Sequence, residues 1–138
     1  LGSGPTIHLA AHLCQKYPAD RWPAGVALQS PILSAVAVVS EGLSRIFPGD
    51  MFCNRHKIKR VKCPVLIMHG TNDSVVPFCH GKVLSQCCPN LWMFSAIAGA
   101  DHNNIEHQFA DRFIATLREF LQGLDEAGCR VPSFKHVA

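Results

Sequence analysis

The stretch Val65-Leu66-Ile67-Met68-His69-Gly70-Thr71-Asn72-Asp73-Ser74-Val75-Val76-Pro77 decides how this chain folds. Its first four residues are a continuous apolar run. A strand buried on both faces has that composition, whereas a strand with one wet face alternates apolar and polar positions. A glycine, polar turn formers and a proline follow, so the strand ends in a loop. That loop carries a carboxylate, Asp73.

Further strands lie on either side. Gly25-Val26-Ala27-Leu28 is a short apolar run stopped by Ser30-Pro31, and Leu91 to Ile97 reads as another strand. Between them stand segments with helical periodicity. Over 3–17, Ile7, Ala10, Ala11 and Cys14 share a face, with Pro5 in the first turn and Pro18 past the end. Ile32, Val36, Val39, Leu43 and Ile46 predict a helix over 32–47. Ile58 and Val61 predict one turn within the basic segment 55–62, and residues 80–88 read as helix. Ile105, Phe109, Phe113, Leu117 and Leu121 recur in steps of four, with Asn103 or Asn104 as cap, and the pattern fades after Gly123. The alternating order helix, strand, helix, strand, helix, strand, helix predicts an α/β fold: a mostly parallel sheet with helices on both faces.

Composition limits the function classes. The 138 residues are 48% hydrophobic and 17% charged, with a net charge of +3, which fits one globular unit and excludes a disordered chain. No apolar run approaches the roughly 20 residues of a membrane-spanning helix. The small positive charge gives no reason to expect nucleic acid. The seven cysteines are irregularly spaced and form no C-x-x-C pair. Cys53-x-x-His56, with Cys63 nearby, lacks a matched second pair, so neither a metal nor a cofactor is expected. Reduced thiols point to a cytoplasmic protein. The basic segment 55–62 is expected to be a solvated face, with contact to acidic lipid headgroups as the functional alternative. The chain opens on Leu1-Gly2-Ser3-Gly4-Pro5 without Met or a signal-like segment, which suggests a fragment whose start lies upstream.

In open α/β sheets, reactive groups collect in loops at the carboxyl ends of strands. Asp73 follows one strand. His102, in Ala98-Gly99-Ala100-Asp101-His102-Asn103-Asn104, follows the next. A carboxylate so placed can orient an imidazole, and the imidazole can then deprotonate a hydroxyl or thiol nucleophile. His69, at the strand end, is expected to be structural. His80 is expected to pack near the Asp73 loop, and Trp92 and Phe94 in the core.

These segments resemble the acid and base segments of α/β-hydrolases: His69-Gly70-Thr71-x-Asp73-x-Val75, then Gly99-x-x-His102-Asn103 about thirty residues later. That fold carries its catalytic residues in the order Ser, Asp, His, with the Ser in a Gly-x-Ser-x-Gly elbow. Several further segments are similar to the alpha/beta-hydrolase domain-containing protein 17 family: Leu1-Gly2-x-x-Pro5-Thr6, Ser30-Pro31, Lys57-Ile58, Cys63-Pro64-Val65-Leu66, Phe78-x-His80-Gly81 and His102-Asn103-Asn104-Ile105-Glu106.

That family consists of serine hydrolases that remove palmitoyl groups from cysteines of membrane-attached proteins. The resemblance implies Asp73 as acid and His102 as base. It places the nucleophile Ser immediately before Leu1, with the Leu1 backbone N–H as one oxyanion-hole donor. Ser3 is a poor substitute nucleophile, because Leu1 and Pro5 stand where the elbow needs glycines. The implied substrate is an acylated protein or a lipid ester, met in the cytoplasm or at a membrane surface.

The similarity covers residues 1 to about 122 as the C-terminal part of one hydrolase domain, leaving 123–138 as a tail. Gln29 and Asp101 depart from the family, which tends to have His and Gly there. Two segments, 18–23 and 35–42, look like extra loop. A general carboxylesterase, a lysophospholipase, a serine peptidase or a non-catalytic scaffold on the same fold stays open. The 138 residues alone are expected to be inactive and poorly soluble, with an unpaired edge on their first strand.

Overall fold

A computed structural model describes residues 2–34 and 53–128. Its elements are helix α1 (Ser3–Lys16), strand β1 (Val26–Gln29), helix α2 (Asn54–Ile58), strand β2 (Val65–Gly70), helix α3 (Phe78–Cys87), strand β3 (Leu91–Ile97) and helix α4 (Ala110–Glu126). Most of the segment expected to be helical over 32–47 lies outside the described residues.

The strands form a parallel sheet in the order β1-β2-β3. Val65 sits opposite Val26 on one side and Leu91 on the other, and the β2–β3 register shifts between Val65 and Leu66. Among the described residues β1 is an edge strand, paired only with β2. Every residue of β2 is buried.

Two apolar clusters explain the unbroken run Val65-Leu66-Ile67-Met68. Successive strand side chains point to opposite faces. Val65 and Ile67 join Ile7, Ala10 and Cys14 of α1, Ile58 of α2 and Leu84 of α3 in one cluster. Leu66 and Met68 join Ile97, Ala100, Ile105, Phe120 and Leu124 in the other, under α4. The Trp92 ring packs 5.1 Å from Phe120, and that of Phe94 lies 5.6 Å from Phe78; Trp92 and Phe94 are both half-buried and pack against the margins of the two clusters rather than inside them. Gly25 lets α4 close over the start of β1, since a Cβ there would lie 2.7 Å from Leu124 and Phe120.

The last helix differs from the sequence pattern. It begins at Ala110, the chain turns through 102–109, and neither Asn103 nor Asn104 caps it. The Asn104 side-chain oxygen Oδ1 instead accepts the Asp101 N–H at 2.7 Å, and its side-chain amide donates to Gln108 at 3.1 Å, so the side chain is used within the turn. The face turned to the sheet is Thr116, Phe120 and Leu124, while Leu121 is exposed. A step of four overshoots one helical turn, so a row of fours drifts off the buried face. The helix also continues through Gly123 to Glu126.

Candidate active site

The loops leaving β2 and β3 are joined through the backbone. The Thr71 N–H donates to the Ile97 carbonyl at 3.1 Å and the Asn72 N–H to that of Ala100 at 2.9 Å. The Thr71 hydroxyl accepts the N–H of Gly99, whose φ of 79° suits glycine. Asp73 and His102 project from these joined loops.

His102 Nδ1 lies 2.9 Å from Asp73 Oδ2. The other carboxylate oxygen, Oδ1, accepts the N–H groups of Val75 at 3.0 Å and Val76 at 2.7 Å. The Asp73 side chain is fully buried, and that of His102 is 32% exposed. Burial alone would raise the Asp73 pKa. It is outweighed by the Val76 N–H, the His102 ring, the nearby Ser30 hydroxyl and the Val75 N–H, so the carboxyl titrates below its ordinary range. With Nδ1 donating to this carboxylate, Nε2 keeps the lone pair of a base.

His69 has a different environment. Its Nε2 is 2.9 Å from the Val76 carbonyl, which can only accept, so Nε2 carries the proton. The same nitrogen is 3.4 Å from Asp73 Oδ2. Burial holds the His69 pKa below its ordinary value, which keeps the ring neutral. Its role here is to fix the turn that presents Asp73. His80 packs close by, with Nδ1 accepting the Leu33 N–H at 3.3 Å, and burial lowers its pKa too.

His102 opens onto a cavity of about 270 Å³ lined also by Gly2, Ser3, Gln29 and Ser30. The Ser3 hydroxyl accepts the Ile32 N–H at 3.2 Å. Leu1, the expected oxyanion donor, lies outside the described residues. Among the described residues no group of three His, Cys, Asp or Glu could hold a metal ion. Cys63 is buried beside Cys14, and burial together with that neighbour pushes its thiol up to about 12. The six cysteines among the described residues are all free thiols. No helix there is long and apolar enough to cross a membrane.

The contacts of three residues at this site escape a reading of the sequence. Ser30 leaves β1 with a φ of 42°, a left-handed conformation rare outside glycine, and sits buried near Asp73. It follows a strand, so the strand-end rule could have singled it out. Asp101 and Ser74 hydrogen-bond to each other across the two loops. Nothing in their spacing signals that contact.

Known proteins share both the sequence and the fold. The alpha/beta hydrolase domain-containing protein aho-3 of Caenorhabditis elegans is 36% identical over 102 residues, 71% of this chain and 29% of its own. The alpha/beta hydrolase domain-containing protein 17C of Xenopus tropicalis is 34% identical over 125 residues, 88% of this chain and 36% of its own. The human 17C protein is 33% identical over the same share of this chain and 34% of its own. The chain is similar over most of its length to these alpha/beta hydrolase domain-containing proteins. It spans about a third of the length of these relatives.

Solved alpha/beta-hydrolase structures agree on the fold. The enol-lactonase of Burkholderia xenovorans LB400 superposes with a TM-score of 0.60 at 20% identity, over 88% of this chain and 62% of its own. The monoacylglycerol lipase of Paleococcus ferrophilus gives 0.59 at 18% identity, over 86% and 65%. No protein-family model matches the chain. With a parallel sheet, helices on both faces and solved neighbours of the alpha/beta-hydrolase fold, the chain has the fold class expected from its sequence.

Proposed function

We propose that this chain is the acid- and base-bearing part of a serine hydrolase that cleaves acyl thioesters or esters, with protein-linked palmitoyl thioesters as the preferred class. One observation carries the reading. Asp73 Oδ2 and His102 Nδ1 are 2.9 Å apart, while the opposite carboxylate oxygen is held by two backbone N–H groups. This is the geometry of an imidazole fixed in one tautomer with its other nitrogen free to act.

In the proposed reaction the serine before Leu1 attacks the acyl carbonyl. His102 Nε2 takes the hydroxyl proton and returns it to the leaving thiol or alcohol. Water then attacks the acyl-enzyme, with the same imidazole as base. Asp73 stays ionised throughout and stabilises the imidazolium. The Leu1 N–H and a second donor from an upstream loop hold the oxyanion, each worth roughly 10²–10³ in rate. The cavity beside His102 accommodates the reacting group. The likeness to the domain-containing protein 17 relatives supports this choice of substrate class.

The test is hydrolysis by the full-length protein of a palmitoyl-cysteine peptide and of the matching oxygen ester. Release of the thiol, abolished by His102→Ala, supports the proposal. Cleavage of the oxygen ester alone replaces it with a general carboxylesterase. Cleavage of neither leaves a non-catalytic scaffold on a hydrolase fold.

A further inference from the structure

Asp101 stands immediately before His102, at the junction of the two loops. Its Oδ1 accepts the Ser74 N–H at 2.7 Å, the Ser74 hydroxyl at 2.9 Å and the His102 N–H at 2.7 Å, and its Oδ2 lies 3.1 Å from the same hydroxyl. Its own N–H donates to Asn104 at 2.7 Å. One carboxylate therefore joins the residue after Asp73 to the backbone of His102.

We infer that Asp101 is a positioning residue, a clamp that sets the Asp73–His102 distance by tying the two loops together. The inference rests on the hydrolase reading above. Asp73 is already fixed within its own loop by Val75 and Val76. What remains free is the position of one loop relative to the other. On the inner side Asn72 and Ala100 set it, close to the strands. Further out, Asp101 and Ser74 set it, at the residues next to His102 and Asp73. Bonds to an ionised carboxylate are shorter and stronger than neutral ones, so this outer tie is stiff. The Ser74 and His102 N–H groups hold the Asp101 carboxyl below its ordinary range, so it is ionised at neutral pH. A glycine at this position offers no acceptor and forms no such tie.

A misplacement of about 1 Å between catalytic groups can cost up to 10²-fold in rate, so loosening the clamp should fall on turnover rather than on binding. The experiment measures kcat, KM and thermal midpoint of the full-length protein on an activated acyl ester. Asp101→Ala should lower kcat about tenfold and leave KM within about twofold. Asp101→Asn should recover most of the loss, because its side-chain carbonyl still accepts both backbone N–H groups. Ser74→Ala should lower kcat less than Asp101→Ala, and combining the two should be no worse than Asp101→Ala alone, since they break one shared contact. Ser74→Ala also serves as the test if Asp101→Ala fails to fold.

Wild-type kcat in both single variants overturns the inference, as do losses that multiply in the double variant. An active parent with an unaffected Asp101→Ala sinks this inference and leaves the hydrolase reading intact. A parent that neither turns over nor reacts with a fluorophosphonate sinks both.

Discussion

Gly70 and Ala100 approach so closely that a Cβ on Gly70 would lie 2.3 Å from the Ala100 carbonyl oxygen. This contact closes the end of β2 against the loop after β3, and it brings Asp73 within reach of His102. The same carbonyl accepts the Asn72 N–H, one residue before Asp73. Backbone cannot yield here as a flexible side chain would. Gly70→Ala should therefore destabilise the full-length protein by about 1–3 kcal/mol, read from the urea midpoint, and lower its activity further by separating the loops. An unchanged midpoint would mean that the loops meet differently.

Asp73→Asn keeps the shape of the carboxylate and removes its charge. Its amide can present an N–H to His102 Nδ1, which favours the wrong tautomer. Turnover should fall by roughly 10⁴-fold with the fold retained, checked by circular dichroism alongside the assay.

Gly81→Ala tests the packing behind the acid loop. The added Cβ would lie 2.4 Å from Nδ1 of His69, a ring with no exposed surface. Alanine is the better helix former by about 1 kcal/mol, but α3 must shift to admit it. The net effect expected is a loss of about 1–3 kcal/mol in unfolding free energy.

Acid should destabilise the fold in two stages. Burial lowers the pKa of His69 and His80 from 6.5. Between the folded and unfolded values the unfolded chain binds more protons, so their contribution is complete above 6.5 and is lost as the pH falls below it. Asp73, lowered from 3.8, adds stability that is present above that value and lost on further acidification. The melting temperature should drop from pH 7.5 to pH 5.5. His80→Asn, which can still accept the Leu33 N–H, should shrink that drop. A flat profile across this range would mean that these rings are not buried in the neutral form.

Ile67→Ala removes a fully buried side chain from the centre of β2 and should cost about 2–5 kcal/mol, measured by denaturant unfolding.

The sequence shows the sheet because β2 contributes to both cores at once. Val65 and Ile67 serve one face and Leu66 and Met68 the other, so no polar residue interrupts the run. The Asp73–His102 pairing is legible for a related reason, since parallel strands end on the same side and carry their exit loops together. What the sequence hides depends on local competition. Ile105 and Phe109 keep a helical spacing while the backbone turns, because the Asn104 side chain is engaged inside that turn. Leu121 looks like core and is exposed, because the row of fours drifts around α4. The left-handed Ser30 and the Asp101–Ser74 tie are three-dimensional contacts without a periodic signal.

The most direct test of the central claim is to label the full-length protein with a fluorophosphonate and map the adduct by mass spectrometry. The account predicts a single adduct on the serine directly before Leu1, absent in His102→Ala and strongly slowed in Asp73→Asn. No adduct, or one on Ser3, would contradict it.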